Sequence, residues 1–133
     1  MWEAYGLENE DILWTCIAFT GGIGGEQSAP CGAVSASTVC LGLRHRCALA
    51  DKQRAKHERL NARGDAGQLV RSFMERFGII TCRDLLGLDF SQPGAYHKFQ
   101  ESGIWKDKCH NYVEFVIEKL YELDERRSVT PSP

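Results

Sequence analysis

Six cysteines, at positions 16, 31, 40, 47, 82 and 109, are the residues of this chain whose chemistry reaches beyond packing. A thiol that loses its proton becomes a nucleophile, a reductant or a soft metal ligand, and its surroundings decide how readily it does so. Cys31 opens the run Cys31-Gly32-Ala33-Val34-Ser35-Ala36-Ser37, in which Pro30 suits the first position of a helix and Gly42 a left-handed cap at its end. Cys31 then falls in a first helical turn, where unpaired N–H groups and the helix dipole favour a thiolate. Thr81-Cys82-Arg83-Asp84-Leu85-Leu86-Gly87 repeats the arrangement, with Thr81 as cap, Gly87 as closure and Arg83 adding positive charge. Two cysteines placed independently at helix starts favour a functional reading over burial alone. Cys16 and Cys40 lie on apolar faces and read as core cysteines. No pair has the C-x-x-C spacing, so any site is assembled by the fold.

The elements that must position these thiols are helical. Asn9 caps a first helix to about Ala18, with Ile12, Leu13, Cys16, Ile17 and Phe19 as its apolar side. It runs into Gly21-Gly22-Ile23-Gly24-Gly25, a loop so rich in glycine that another group must pack close to it, and a short polar link leads on to Pro30. The charged stretch from Asp51 to Arg63 reads as a solvated helix interrupted at Gly64 and Gly67, and a stronger helix over Leu69, Val70, Phe73, Met74 and Phe77 ends at Gly78. Asp89 to Gly103 reads as loops with a turn or two of helix, amphipathic at Ala95 to Gln100. A last helix from about Trp105 to Arg126 turns Cys109 inward with Tyr112, Val113, Val116, Ile117, Leu120 and Leu123, and leaves His110 at the surface. With no alternating strand pattern, the fold class is all-α, an orthogonal or bundle-like packing of four to six helices around the glycine-rich loop. Residues 1–127 form a single helical domain and 128–133 a flexible tail.

At 133 residues with a formal charge of −2, the chain carries no general basic field for nucleic acid. No apolar run reaches a membrane span, and the acidic, aromatic start is no secretory signal. The expected setting is cytoplasmic, a reducing compartment where thiols are more often buried, metal-bound or redox-active than bridged. The glycine loop lacks the Lys-Ser/Thr ending of a phosphate loop and follows a helix rather than a strand, which argues against nucleotide binding.

With these blocks in place, the chain resembles the bacterial and archaeal family described as "putative redox-active protein" and named for its C, GCAxxG, C, C cysteine pattern. The blocks are Gly21 to Gly25 leading to Cys31-Gly32-Ala33-Val34-Ser35, Leu41-Gly42-Leu43, Phe77-Gly78 before Cys82 to Gly87, and Cys109. The resemblance implies redox chemistry or a metal or iron–sulfur centre, carried by Cys31, Cys82 and Cys109, with a related module in a multihaem cytochrome. The chain looks N-terminally short against the family pattern, whose first cysteine lies well upstream of the glycine loop. Alanine or serine, at Ala36 or Ser37, stands where the family has a further glycine.

Three expectations follow. Cys31, Cys82 and Cys109 converge as a metal-thiolate site, iron–sulfur or zinc, with Gly22, Gly24, Gly25 and Gly32 bringing backbone to the cofactor and His45, His110 or water as a fourth zinc ligand. Alternatively they exchange disulfides without metal, a low-pKa Cys31 or Cys82 attacking and another sulfur resolving, with a redox partner protein. In the third, the chain is a non-catalytic binding or assembly module with structural core cysteines, possible as a homo-oligomer.

Overall fold

Helix-forming periodicity accounts for nearly the whole chain. The structure, a computed structural model, describes residues 3–129. After a short 3-10 turn at Glu3–Tyr5 come α1 (Asp11–Ile17), α2 (Gly32–Arg44), α3 (Lys52–Phe77), α4 (Cys82–Leu86), α5 (Ala95–Ser102), the single turn α6 (Ile104–Asp107) and α7 (Cys109–Val129). No strand occurs among the described residues, so the all-α expectation holds, with six helices beside the one-turn α6. Of the tail expected at residues 128–133, α7 takes in residues 128 and 129, and residues 130–133 lie outside the described part.

The three long helices α2, α3 and α7 pack on one another and make the core. Val34 and Leu41 come from α2, Leu69 and Phe73 from α3, Leu85 from α4, and Tyr112, Val116, Leu120 and Leu123 from α7. Phe73 and Phe77 of α3 meet Tyr112 and Phe115 of α7 edge to face, the closest of these centroids 4.9 Å apart, which ties α3 to α7.

Local signals set several ends correctly. Gly78 and Gly87 take left-handed φ values of 80° and 68° and close α3 and α4. Others are overridden by packing. Gly42 lies inside α2, which runs to Arg44, and Pro30 precedes the cap, paired with Thr81 in an isolated bridge. Gly64 and Gly67 do not interrupt α3, because its burial against α2 and α7 outweighs the roughly 1 kcal/mol each glycine costs. The expected apolar side of α1 is only partly covered: Leu13 is 49% and Ile17 60% exposed.

The last helix is broken where the sequence reads it as continuous. Lys108, at φ −96° and ψ −61°, separates α6 from α7, so Cys109 begins α7 instead of standing within it. The break leaves Lys108 Nζ free to donate to the Leu85 and Leu86 carbonyls at 3.1 and 2.9 Å, which pins the end of α4 to the start of α7.

Candidate functional site

Between α1 and α2 the backbone turns left-handed for five consecutive residues, Gly21 to Gly25, with φ between 59° and 92°. Only Ile23 among them bears the side-chain strain of that conformation. The turn is held by its own bonds, Gly24 N–H to Ala18 O at 2.7 Å, Gly25 N–H to Thr20 O at 3.1 Å and Gln27 N–H to Gly21 O at 3.0 Å. The N–H groups of Gly24 and Gly25 are therefore committed within the loop.

Two of the glycines act by what they lack. A Cβ on Gly22 would stand 2.8 Å from Cys82 Cβ and 2.8 Å from Ala29 O, and one on Gly32 would stand 2.8 Å from Phe19 O. Their bare backbones let the loop close onto α4 and onto the start of α2. Cys31 N–H donates to Ile80 O at 2.8 Å and Cys82 N–H to Ala29 O at 3.1 Å, which locks the two helix starts side by side.

Three helices thus begin at one place. Cys31 is the N-cap of α2, Cys82 the first residue of α4 and Cys109 the first of α7. All three are free thiols, and all three line one cavity of about 900 Å³. Its walls include Gly21, Gly24, Gly25 and Gly32, and on the other side Leu86, Val113 and the aromatic group Phe90, Tyr96 and Phe99, whose ring centroids are 5.2 to 6.1 Å apart.

A fourth thiol joins them that the sequence reading assigns to the core. Cys16 is half-buried and faces the same cavity, with Thr15 Oγ1 3.6 Å from its sulfur. The fact that α1 is only partly covered explains its position, since the apolar side it shares is open. Cys40 packs against the core as expected, and Cys47 is half-buried elsewhere.

Burial wins over the helix starts in setting the acidity of the three thiols. Desolvation pushes Cys31 up, and the N–H groups of Ala33 and Val34 draw it only part of the way back. Cys82 is pushed up to about 11, first by burial and then by Cys31 and Cys109, against the amide side chain of Gln27. Cys109 rises through burial and Cys31, and Lys108 beside it opposes the rise. The low-pKa thiolate expected of Cys31 or Cys82 is therefore reversed, because a short helix start cannot repay the water lost. Tyr112 is raised by burial and by the three sulfurs together, and its hydroxyl donates to Leu85 O at 3.2 Å.

Among the described residues no group of three His, Cys, Asp or Glu side chains is arranged to hold a metal ion. Neither histidine offered as a fourth ligand stands with the thiols. His110 packs its ring on Trp105 with centroids 5.1 Å apart. His45 lies at the far end of α2, with Nδ1 2.7 Å from Glu58 Oε2 and Nε2 2.7 Å from Asp65 Oδ2.

Gln27, Lys108 and Tyr112 are the site's supporting residues that sequence reading passes over. Gln27 sits in what reads as a polar link yet is 1% exposed. The signal that points to Lys108 and Tyr112 is their distance of one residue before and three after Cys109, which places both at the same helix end.

Fold and site together define an all-helical protein with a cluster of free thiols opening onto a largely apolar cavity. The chain belongs to the family described as "Putative redox-active protein (C_GCAxxG_C_C)", whose model matches residues 1–123. No curated protein and no solved structure matches it. Among the described residues no helix is long and apolar enough to cross a membrane.

Proposed function

We propose that the protein is a dithiol redox protein that reduces a disulfide presented in the cavity. The observation that carries this reading is the meeting of Cys31, Cys82 and Cys109, each at a helix start, on one cavity wide enough for a ligand. Cys31 is the sulfur on which negative charge is best received, because two backbone N–H groups face it. Its thiolate attacks one sulfur of the substrate disulfide, forming a mixed disulfide and releasing the other sulfur as a thiolate. Cys82 or Cys109 then attacks the Cys31 sulfur, closing an internal disulfide and releasing the second substrate thiolate. Two thiols of the protein give up two protons and two electrons, and the substrate disulfide takes both up as two thiols. A second dithiol, on a partner protein, restores the reduced state by the reverse exchange.

The raised thiols make the attacking form a minority at neutral pH, so exchange quickens as pH rises. The same burial favours the opposing reading, a binding or assembly module with structural cysteines. One experiment separates them. Incubation with a small disulfide, acid quench, alkylation and peptide mass mapping yields a Cys31–Cys82 or Cys31–Cys109 linkage in a redox protein. No internal linkage, with Cys31 unmodified, sinks the proposal in favour of the module. Stoichiometric metal lost in Cys31→Ser on anaerobic purification sinks it in favour of a metal-thiolate site.

A further inference from the structure

Gln27 has the properties of a residue kept for something other than packing. Its backbone holds φ at 57°, a region that L side chains rarely adopt, and its side chain is 1% exposed. A buried amide in a strained position is costly unless both its ends are used. One end is used: Oε1 accepts the Phe90 N–H at 2.7 Å, and this bond fixes which way the amide faces. The other end is not, since Nε2 has no hydrogen-bond partner.

What stands beside that amide is Cys82. A Cβ on Gly22 would be 2.8 Å from Cys82 Cβ and 3.1 Å from Gln27 Cα, so the two residues meet across the bare backbone of Gly22. Arg83 N–H donates to Gln27 O at 3.3 Å and holds the start of α4 against this segment. A neutral thiol is a weak acceptor, whereas a thiolate accepts a charge-assisted bond. An N–H that stays unpaired beside a thiol gains its partner when the thiol ionises.

We propose that Gln27 is the positioning residue of Cys82, its Nε2–H group donating to the Cys82 sulfur when that sulfur carries negative charge, and so aiming it for attack. The electrostatic balance at Cys82 agrees, since among the groups acting on it the Gln27 side chain opposes the rise that burial and the other sulfurs impose. The use of that sulfur as the resolving thiol rests on the dithiol reading; the hydrogen bond does not.

The test is the rate at which iodoacetamide alkylates each cysteine at one fixed, mildly alkaline pH, read site by site by peptide mass mapping. Gln27→Glu keeps an oxygen for Phe90 N–H and replaces the donor with a carboxylate; Gln27→Met removes the amide altogether. A purely structural role predicts faster alkylation of Cys82, because loosening exposes it. The proposal predicts the opposite sign, alkylation of Cys82 slowed about three- to tenfold in Gln27→Met and further in Gln27→Glu, with Cys47 unchanged. Unchanged or faster alkylation of Cys82 in folded Gln27→Glu overturns the proposal, and if that variant does not fold, Gln27→Met decides by the same sign. Unfolding of both assigns Gln27 to the fold and overturns it as well. A slowed Cys82 in a protein that never forms an internal disulfide upholds the role of Gln27 and sinks the dithiol reading.

Discussion

At its N-terminus α2 starts from Cys31, among sulfurs that burial keeps protonated, whereas roughly 20 Å away its C-terminus delivers Arg44 and His45 into a set of opposite charges. Arg44 pairs with Asp65 and, at 3.0 Å, with Asp124; His45 lies between Glu58 and Asp65; Arg127 donates to the Arg44 carbonyl at 3.1 Å and reaches Glu58 at 3.5 Å. Every charge there has a partner from α2, α3 or α7, so that end ties together the three helices of the core. At the other end the thiols open on a cavity, and each end leaves one buried nitrogen without a hydrogen-bond partner, Arg44 Nε among the charges and Gln27 Nε2 beside the thiols. The difference teaches where stability and chemistry are kept apart on one helix. The charged end pairs its charges across three elements and serves the fold, while the thiol end holds protonated sulfurs on a cavity where they can react.

The sharpest way to break that comparison is at Glu58. It is buried, and the His45 contact and Arg127 hold its carboxyl below the usual carboxylate range despite its burial. Glu58→Ala removes the carboxylate that His45 Nδ1 and Arg127 share and is expected to cost about 3 kcal/mol, read by urea unfolding. The depressed pKa fixes the sign with pH: the contribution of Glu58 is full above about pH 4.5 and is lost as pH falls through its lower folded value. A loss below about 1 kcal/mol would show the charged cluster to be decorative. Next in size is Gly22→Ala, which combines a left-handed φ with a Cβ 2.8 Å from Cys82 Cβ. About 2–3 kcal/mol of stability is expected to go, and Cys82 shifts with the loop.

The thiol end has a pH signature of opposite sign. The Cys82 thiol is raised from 9.0 to about 11, so the folded state holds its proton more tightly than the unfolded state does. Its contribution is full below the unfolded value and is lost as pH rises through the folded one, which places the window between about pH 9 and 11. Thermal or urea unfolding across that window is expected to show a fall on the order of 2 kcal/mol that Cys82→Ser flattens. Equal slopes in the two proteins would mean that burial at Cys82 is not what keeps it protonated.

How much of this was legible in the sequence follows from the range of each interaction. Gly78, Gly87 and the start of α4 at Cys82 are set by neighbours within one turn, and the sequence reading finds them. Gly64, Gly67 and the break at Lys108 depend on what other helices bury or pull, and there it fails. His45 meets Glu58 thirteen residues away and Asp65 twenty away, and Arg127 comes from another helix, so no spacing announces the cluster. Cys31 and Cys82 were legible as helix starts from the local signals of α2 and α4, whereas Cys109 was read within a longer helix and joined the set through the family resemblance. Cys16 and Gln27 were not, since a cysteine on an apolar face and a glutamine in a polar link look ordinary until the left-handed turn folds them inward.

The finest cut through the comparison is Cys31→Ser, for which the two readings of the thiols part. Cys31 occupies the N-cap of α2 at φ −49° and ψ 136° and makes no capping bond with its side chain. Serine is among the residues that cap best, because its oxygen accepts from the free N–H groups of the first turn. If the cysteines are structural, losing a half-buried sulfur from the edge of the core weakens the fold. If they are kept for exchange, the replacement is neutral or stabilises by about 0.5 kcal/mol, while the internal disulfide no longer forms. Stability held with exchange lost is the expected result in paired urea unfolding and disulfide mapping. A clear loss of stability with no exchange in either protein would make Cys31 a packing residue and the two ends of α2 alike.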